Sequence, residues 1–229
     1  MKHVYTGKTK DVYELDDGNY LFKFKDDACG ENGVFDPGAN QIIGKIDGKG
    51  MAGLAISEYF FNRINSAGYP THFIGCDVNK GEMKIRPAKN FGNGIEVICR
   101  YKATGSFIRR YGAYIKDGES LDALVEITLK DDERGDPFIT RETLVALNIL
   151  TLNEHDELII LMKNIVGIIK NEISAKGMEL IDIKLEFGKD KNGKIMLIDE
   201  VSADIMRVYK NGKSVEPLEF TKIMLGDTL

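Results

Sequence analysis

Seven residues from Ile181 to Phe187 alternate strictly between apolar and charged side chains. Successive side chains of a β-strand point to opposite faces, so one face is apolar and the other carries Asp182, Lys184 and Glu186. The Asn192-Gly193 pair that follows favours a tight turn. The returning run, Lys194 to Val201, contains a short apolar stretch and then an acidic pair. A β-hairpin with one charged face is therefore expected, and residues 181–201 are predicted to form part of a β-sheet.

Two carboxylates of the predicted hairpin are expected to come close together. Asp199 and Glu200 end the apolar run of the returning strand, and antiparallel pairing brings a second carboxylate near Glu186. Mg²⁺ prefers oxygen ligands and leaves room for phosphate oxygens. The pattern fits a magnesium site, and it fits a solvated strand face with Lys–Glu pairs equally well.

The first hundred residues have mostly β character. Short β-favouring runs, separated by turn residues, occupy Val4-Tyr5, 11–15, 20–25, 71–75, 83–85 and 95–101. Apolar residues at helical spacing predict one helix between Gly50 and Gly68. We therefore expect a β-rich lobe over residues 1–100.

The second part of the chain, residues 101–229, has a mixed α/β pattern. A long apolar stripe predicts a helix that is capped by Asn153 and ends at Gly177. The hairpin described above follows it. No Pro/Ser-rich linker separates the two parts, so two lobes in close contact are expected.

Composition excludes several classes of protein. The 229 residues are 43% hydrophobic and 29% charged, which is typical of a globular fold. The longest apolar stretches fall short of the roughly 20 residues that span a membrane, and no secretory signal is recognisable, so we expect a cytoplasmic protein without membrane contact. A net charge of −5 disfavours nucleic acid as a partner and favours small molecules. The three cysteines have no CxxC spacing, which argues against a zinc site.

Three segments carry residues suited to binding charged ligands. The Gly7-Lys8-Thr9-Lys10 turn suits phosphate groups, although an ordinary lysine-rich hairpin is the simpler interpretation. Arg100 to Gly112 combines a strand end with a short helix, and its Arg100 and Ser106 suit a phosphate or carboxylate unless Thr104 or Ser106 merely caps the helix. The mixed-charge segment Lys130 to Pro137 suits a zwitterion such as an amino acid, or simply solvent.

These segments together resemble one family, the phosphoribosylaminoimidazole-succinocarboxamide synthases or SAICAR synthetases. The resemblance covers nearly the whole chain. Its blocks are Gly7 to Tyr13, Phe24 to Asp27, Gly48 to Gly50, Thr71 to Phe73, Glu96 to Arg100, Thr104 to Ser106, Lys130 to Asp132, Gly135 to Pro137, Asp182 to Gly188, and Asp199-Glu200 with Ser202, Asp204 and Arg207. Departures from the family pattern occur at Ala28-Cys29-Gly30, Lys102 and Val208-Tyr209.

The resemblance implies an α+β fold of two lobes, similar to the ATP-grasp and kinase arrangement. It implies an ATP-dependent ligase of purine biosynthesis, which joins L-aspartate to the carboxylate of carboxyaminoimidazole ribonucleotide and releases ADP and phosphate. An acyl phosphate is the expected intermediate, because a free carboxylate is a poor electrophile toward an amine. A homo-oligomer, a dimer, is expected.

The resemblance also assigns roles to individual residues. Those expected to bind ATP are Lys8, Lys10, Val12, Glu186 and Asp199, the last two through Mg²⁺. Those expected to bind substrate are Arg100, Ser106 and Arg207 for the ribonucleotide, and Lys130 and Asp132 for aspartate. Lys184 and Asp182 are expected to be catalytic. A small-molecule phosphotransferase and a non-catalytic nucleotide sensor remain alternative functions.

Overall fold

The structure is a computed structural model that describes residues 1–31, 33–37, 39 and 41–226. Along these residues the chain forms the strands β1 (Lys2–Thr6), β2 (Lys10–Glu14), β3 (Tyr20–Phe24), β4 (Asp27–Glu31), β5 (Val34–Phe35), β6 (Ile42–Lys45), β7 (Phe73–Asp77), β8 (Glu82–Ile85), β9 (Lys89–Asn90), β10 (Ile95–Lys102), β11 (Ser120–Leu129), β12 (Glu179–Lys189), β13 (Ile195–Ile198), β14 (Met206–Lys210) and β15 (Lys213–Ser214). Its helices are α1 (Lys49–Ser66), α2 (Ser106–Tyr111), α3 (Arg141–Ala146), α4 (Leu152–Ala175) and α5 (Pro217–Leu225). The predicted α+β class is confirmed.

A five-stranded antiparallel sheet near the N-terminus has the strand order β1-β2-β3-β8-β7. In the turn between β2 and β3, Gly18 has a φ of 78°, a left-handed conformation that glycine adopts without strain. Helix α1 packs against β3 and β7 of this sheet. A second small sheet, β5-β4-β6, was not predicted, because its strands are short and interrupted by turn residues.

A seven-stranded sheet holds the predicted hairpin at its centre. Its main path is β11-β10-β12-β14-β15, and β13 and β9 both pair with the far end of β12. Strand β12 is eleven residues long, so its first half pairs with β14 and its second half with β13. The hairpin prediction is confirmed. Strand β11 was not predicted.

Helix α4 covers the apolar face of this sheet, where it contacts β10, β12 and β13. Its predicted extent is nearly correct, but the predicted cap at Asn153 is wrong. Thr151 is the N-cap, because its side chain accepts a hydrogen bond from the Glu154 N–H while Glu154 bonds back to the Thr151 N–H. This reciprocal capping box satisfies two backbone donors, and a cap at Asn153 would leave them without a partner.

Both large sheets contribute to one buried apolar cluster, which includes Phe22 and Met83 from the first sheet and Val97 and Leu185 from the second. Strand β10 belongs entirely to the second sheet, so the predicted lobe boundary at residue 100 falls inside a strand. None of the helices in the described part of the chain is long and apolar enough to cross a membrane.

Candidate active site

Two adjoining cavities lie along the charged side of the seven-stranded sheet. One, the lysine-lined cavity, has a volume of about 450 Å³ and is bordered by Lys8, Lys10 and Lys130. The other, the arginine-lined cavity, has a volume of about 570 Å³ and is bordered by Arg100, Arg109, Arg110 and Arg207. The residues that border both cavities are Pro37, Ala39, Glu96, Lys184 and Ile205.

The charged row of β12 faces these cavities. In the pairing of β10 with β12, Arg100 lies opposite Asp182, Ile98 opposite Lys184, and Glu96 opposite Glu186. Residues that lie opposite each other in an antiparallel pair share a face, so the row lies beside Glu96, Ile98 and Arg100. Asp182 is only 4% exposed, and Lys184 and Glu186 are half-buried. The face is therefore not solvated as the alternative interpretation expected, although the Lys–Glu pairs of that interpretation are present.

Lys10 is the most buried lysine of the lysine-lined cavity, at 8% exposure. Its ammonium lies 3.0 Å from a carboxylate oxygen of Asp199 and 2.9 Å from Glu200 Oε1. Burial alone would lower the pKa of Lys10, but the two carboxylates outweigh it and raise the pKa above its ordinary value. Lys10 is therefore a permanent cation in the cavity wall.

The turn that carries Lys8 needs a glycine at position 7. The Gly7 N–H donates to the Lys10 carbonyl at 2.9 Å, and a Cβ on residue 7 would lie 2.8 Å from that same oxygen. The closed turn directs Lys8 toward Asp132, whose carboxylate it contacts at 2.8 Å. Lys8 and Lys10, the two lysines predicted to bind ATP, border the same cavity.

Glu186 and Asp199 both border the lysine-lined cavity. Strand β13 ends after Ile198, which pairs with Glu186, and Asp199 then takes a left-handed φ of 68°. Burial raises the pKa of Glu186, and the neighbouring Asp199 carboxylate raises it further. Lys130, whose Nζ lies 2.5 Å from Glu186 Oε1, lowers this pKa but does not outweigh the other two effects. Burial would likewise raise the pKa of Asp199, but Lys10 and Lys130 hold it below its usual value.

This donor set fits Mg²⁺. Two carboxylates that repel each other are relieved by a divalent cation, and oxygen is the ligand type that Mg²⁺ prefers. Among the described residues, no group of three or more His, Cys, Asp or Glu side chains is arranged to hold a metal. Proteins usually bind Mg²⁺ through one or two carboxylates, with water and substrate phosphates completing the shell, so a pair suffices.

The lysine-lined cavity also has apolar residues on its border, among them Val12, Phe22, Ile85 and Ile198. His72 borders the same cavity and is 1% exposed, and its Nε2 donates to the Asp199 carbonyl at 2.8 Å. Burial lowers the pKa of His72 to about 4, so its ring is neutral at pH 7. His72 thus holds the unusual backbone at Asp199 in place without adding charge.

In the arginine-lined cavity, Arg100 is 1% exposed and joins three elements. Its Nε donates to Glu126 at 2.7 Å, its Nη1 to Asp182 at 2.9 Å and its Nη2 to Ser106 at 2.9 Å. Gly105, not Thr104 or Ser106, occupies the N-cap position of α2, and it makes no side-chain cap. The Ser106 hydroxyl is therefore held by Arg100 at the cavity border.

Two further arginines complete this network. Arg207 donates to Asp182 at 2.7 Å and to Asp36 at 2.6 Å, while Arg110 donates to Glu126 at 2.5 Å. Burial raises the pKa of Asp182 despite the nearby charges of Arg207 and Arg100. The arrangement gives the cavity a preformed polar wall in which these side chains have fixed positions.

Lys184 and Glu96 form an ion pair where the two cavities meet. Lys184 Nζ lies 2.7 Å from Glu96 Oε1, and Thr128 donates to Glu96 Oε2 at 3.1 Å. Glu96 is 5% exposed, so the carboxylate that fixes the position of Lys184 is buried. A group bound at this junction is within reach of both cavities.

The predicted site residues divide between the two cavities. The lysine-lined cavity has Lys8, Lys10, Val12, Lys130, Asp132, Glu186 and Asp199, and the arginine-lined cavity has Arg100, Ser106, Asp182 and Arg207. Lys184 borders both. Lys130 and Asp132, predicted for aspartate, thus lie with the predicted ATP-binding residues, while Gly135 and Asp136 of the same segment border the other cavity.

Sequence reasoning gave no role to Glu96, Glu126 or His72, and it considered Glu200 only as part of the acidic pair with Asp199. The alternation of β10 contained a signal for Glu96, because Glu96 and Arg100 occupy the same strand face as each other and opposite that of Val97 and Cys99. A similar signal for Glu126 was missed, because Val125, Ile127 and Leu129 alternate with Glu126 and Thr128.

Comparison with known proteins agrees with this geometry. The family model for SAICAR synthetase matches residues 3–225. The chain is 57% identical over 226 residues to the phosphoribosylaminoimidazole-succinocarboxamide synthase of Clostridium tetani, covering 98% of this chain and 100% of that protein. It is 34% identical to the enzyme of the same name from Sulfolobus acidocaldarius, covering 94% and 92% of the two chains.

Solved structures show the same fold. A SAICAR synthetase (Type-2) in complex with ADP aligns with a TM-score of 0.86 at 29% identity, covering 98% of each chain. The phosphoribosylaminoimidazole-succinocarboxamide synthase from Ehrlichia chaffeensis aligns with a TM-score of 0.83 at 28% identity, covering 93% of this chain and 88% of that one. These matches define a ligase. The chain belongs to the SAICAR synthetase family, which confirms the family and enzyme class predicted from the sequence.

Proposed function

We propose that the chain joins L-aspartate to the carboxylate of carboxyaminoimidazole ribonucleotide, with release of ADP and phosphate, as a ligase of de novo purine biosynthesis. The observation that carries this proposal is the pair of cavities that share Lys184 and Glu96. A ligase of this kind needs one site for a nucleotide and one for the acid, with the reacting groups in contact. Family membership supports the same reaction.

The lysine-lined cavity is our proposed ATP site. Lys8 and Lys10 face the phosphates, and Val12 belongs to an apolar wall suited to a flat base. The match to a family member in complex with ADP supports nucleotide binding by this chain. Glu186 and Asp199 would hold Mg²⁺, which when bound neutralises charge on the phosphates of ATP. Lys10 already compensates part of the negative charge at Asp199.

The arginine-lined cavity is our proposed ribonucleotide site. Ser106 offers a hydroxyl at the cavity border, and Arg100 and Arg207 offer guanidinium groups that suit phosphate and carboxylate. Asp182 holds both arginines, at 2.9 and 2.7 Å, so it orients the groups that bind. Asp182 would thus act as a positioning residue.

Lys184 is our proposed catalytic residue at the junction. The substrate carboxylate, coming from one cavity, must meet the terminal phosphoryl group coming from the other. A fixed ammonium at this point stabilises the negative charge shared between them during formation of an acyl phosphate. The aspartate amine then attacks the acyl carbon, and phosphate leaves. The segment from Lys130 to Pro137, with Lys130 and Asp132, stays our candidate for aspartate capture.

We propose further that the two large sheets belong to two lobes in an ATP-grasp or kinase-like arrangement that share one apolar cluster. The N-terminal lobe, predicted as residues 1–100, would cover the nucleotide, and the C-terminal lobe, predicted as residues 101–229, would hold metal and substrate. The division would then follow the sheets and not residue 100 itself, because β10 belongs to the second sheet. A homo-oligomer, specifically a dimer, a cytoplasmic location and the absence of nucleic-acid or membrane partners are part of the same proposal.

An omission assay tests the reaction. Purified protein is mixed with ATP, Mg²⁺, carboxyaminoimidazole ribonucleotide and L-aspartate, each is left out in turn, and ADP and the amide product are measured. We expect the amide to form only in the complete mixture, with one ADP for each amide. Repeated turnover of ATP to ADP without aspartate, beyond one ADP for each active site, would instead support a phosphotransferase, and no ATP turnover in any mixture would support a nucleotide sensor.

A further inference from the structure

Most cations that border the arginine-lined cavity already have a carboxylate partner. Arg100, Arg110 and Arg207 are held by Glu126, Asp182 and Asp36, at distances of 2.5 to 2.9 Å. Lys184 is held by Glu96 at 2.7 Å. These pairs orient donors, but their charges largely cancel, so they provide little net attraction for a dianion.

Arg109 differs from these cations. It borders the same cavity, its side chain is exposed, and among the residues that the structure describes it has no carboxylate partner. An arginine without a carboxylate partner exchanges only water for a bound anion, so its charge is not already cancelled and its charge-assisted hydrogen bonds give a net gain, although hydration of the guanidinium reduces it.

The position of Arg109 also matches one end of a bound ribonucleotide. In the proposed reaction the carboxylate of the ribonucleotide lies where the two cavities meet, at the level of Glu96. Arg100 lies four residues further along the same strand, which is about 13 Å at 3.2 to 3.4 Å per residue. Ser106, which Arg100 contacts, and Arg109 both lie on α2 at that remote end. The phosphate is the group of the substrate most distant from the carboxylate.

We propose that Arg109 binds the phosphate of the ribonucleotide and makes the enzyme prefer the nucleotide over the nucleoside. This inference rests on the function proposed above. Arg109 would attract the phosphate by its net positive charge, whereas Arg100 and Arg207 would orient hydrogen-bond donors toward the substrate.

The test compares wild type with Arg109→Ala and Arg109→Lys. We expect Arg109→Ala to raise the KM for the ribonucleotide about 10- to 100-fold, as for loss of a charge-assisted hydrogen bond, with kcat and the KM for ATP nearly unchanged. Arg109→Lys should recover most of the loss. Because Arg109 is exposed, the difference in ribonucleotide KM between wild type and Arg109→Ala should shrink as salt concentration rises. Lys116→Ala is the matched control, since Lys116 is an exposed cation after α2 that does not border the cavity.

Two measurements separate the phosphate contact from a general effect. With the nucleoside that lacks the phosphate, wild type and Arg109→Ala should have equal kcat/KM. In calorimetry with ribose 5-phosphate, the variant should bind at least 10-fold more weakly. An equal loss for nucleotide and nucleoside, or unchanged binding of ribose 5-phosphate, would overturn the inference while leaving the ligase activity intact. Failure of wild type in the omission assay would instead overturn the proposed function.

Discussion

Lys184 Nζ lies 2.7 Å from Glu96 Oε1, and these two side chains are the ionisable groups that border both cavities within the described part of the chain. They sit on neighbouring strands of one sheet, with Lys184 opposite Ile98 in the register of β10 and β12. A rigid sheet therefore presents one cation, with a fixed partner, to whatever occupies the junction. This arrangement suits a residue that must stabilise charge without moving.

Lys184→Met should lower kcat about 100- to 1,000-fold, as for loss of one preorganised charge-stabilising group, while the KM for ATP stays near its wild-type value. Steady-state measurement of ADP release checks it. Lys189→Met is the control, because Lys189 lies on the same strand outside both cavities. A variant that keeps more than half of the wild-type kcat would contradict the catalytic role of Lys184.

Glu186→Gln and Asp199→Asn should each lower turnover by on the order of 100-fold or more, because the proposed Mg²⁺ site loses a charged ligand. Folding should survive, since Lys10 keeps Glu200 as a partner when Asp199 is neutral. The concentration of Mg²⁺ at half-maximal rate should rise in both variants. Glu179→Gln, on an exposed part of the same strand, serves as control. Near-normal activity in both variants would refute the metal assignment.

Arg100→Met should destabilise the fold by about 3 to 5 kcal/mol, because it leaves buried Asp182 and Glu126 with one fewer cation. Urea unfolding at pH 7 measures the change. Arg134→Met, at an exposed site, should shift the free energy of unfolding by no more than about 0.5 kcal/mol. Equal stability of the two variants would show that the arginine network contributes binding groups only.

Ser106→Ala should act on binding and not on folding. Loss of one hydrogen bond to the ribonucleotide predicts a KM about 3- to 10-fold higher for that substrate, with the KM for ATP unchanged. Arg100 keeps both of its carboxylate partners, so the free energy of unfolding should change by less than about 1 kcal/mol. Ser120→Ala is the control, because Ser120 is exposed and lies outside both cavities. An unchanged ribonucleotide KM would remove Ser106 from the substrate site.

The pKa of His72 predicts a pH dependence of stability. Burial lowers this pKa to about 4 from an ordinary value of 6.5, so the unfolded chain binds a proton more readily than the folded chain. The stability that His72 provides is complete above pH 6.5 and declines toward pH 4. His72→Gln removes this titration, so the advantage of wild type over the variant should shrink by about 2 kcal/mol between pH 7 and pH 5. Urea unfolding measures this difference in the free energy of unfolding. A difference between wild type and His72→Gln that stays the same from pH 7 to pH 5 would contradict the prediction.

Local patterns were sufficient for much of the fold. The alternation from Ile181 to Phe187 and the Asn192-Gly193 turn predicted the hairpin, because a strand places successive side chains on opposite faces. The apolar stripe of α4 predicted that helix, because apolar residues at helical spacing fall on one face of a helix. Strand β11 was missed although Val125, Ile127 and Leu129 alternate with Glu126 and Thr128. The strands of the small sheet are only two to five residues long, which is too short for a clear periodic pattern.

The amino-acid sequence by itself determined which residue types are available for the chemistry, and the resemblance of its motifs determined the family. Tertiary structure alone decided how those residues are grouped. Lys10 meets Glu200 across 190 residues of chain, and Arg100 meets Asp182 across 82. Such contacts depend on strand order and register, which no local periodicity encodes. For that reason only the fold could place Lys130 beside Glu186, pair most of the cavity cations with carboxylates, and leave Arg109 without a carboxylate partner among the residues that the structure describes.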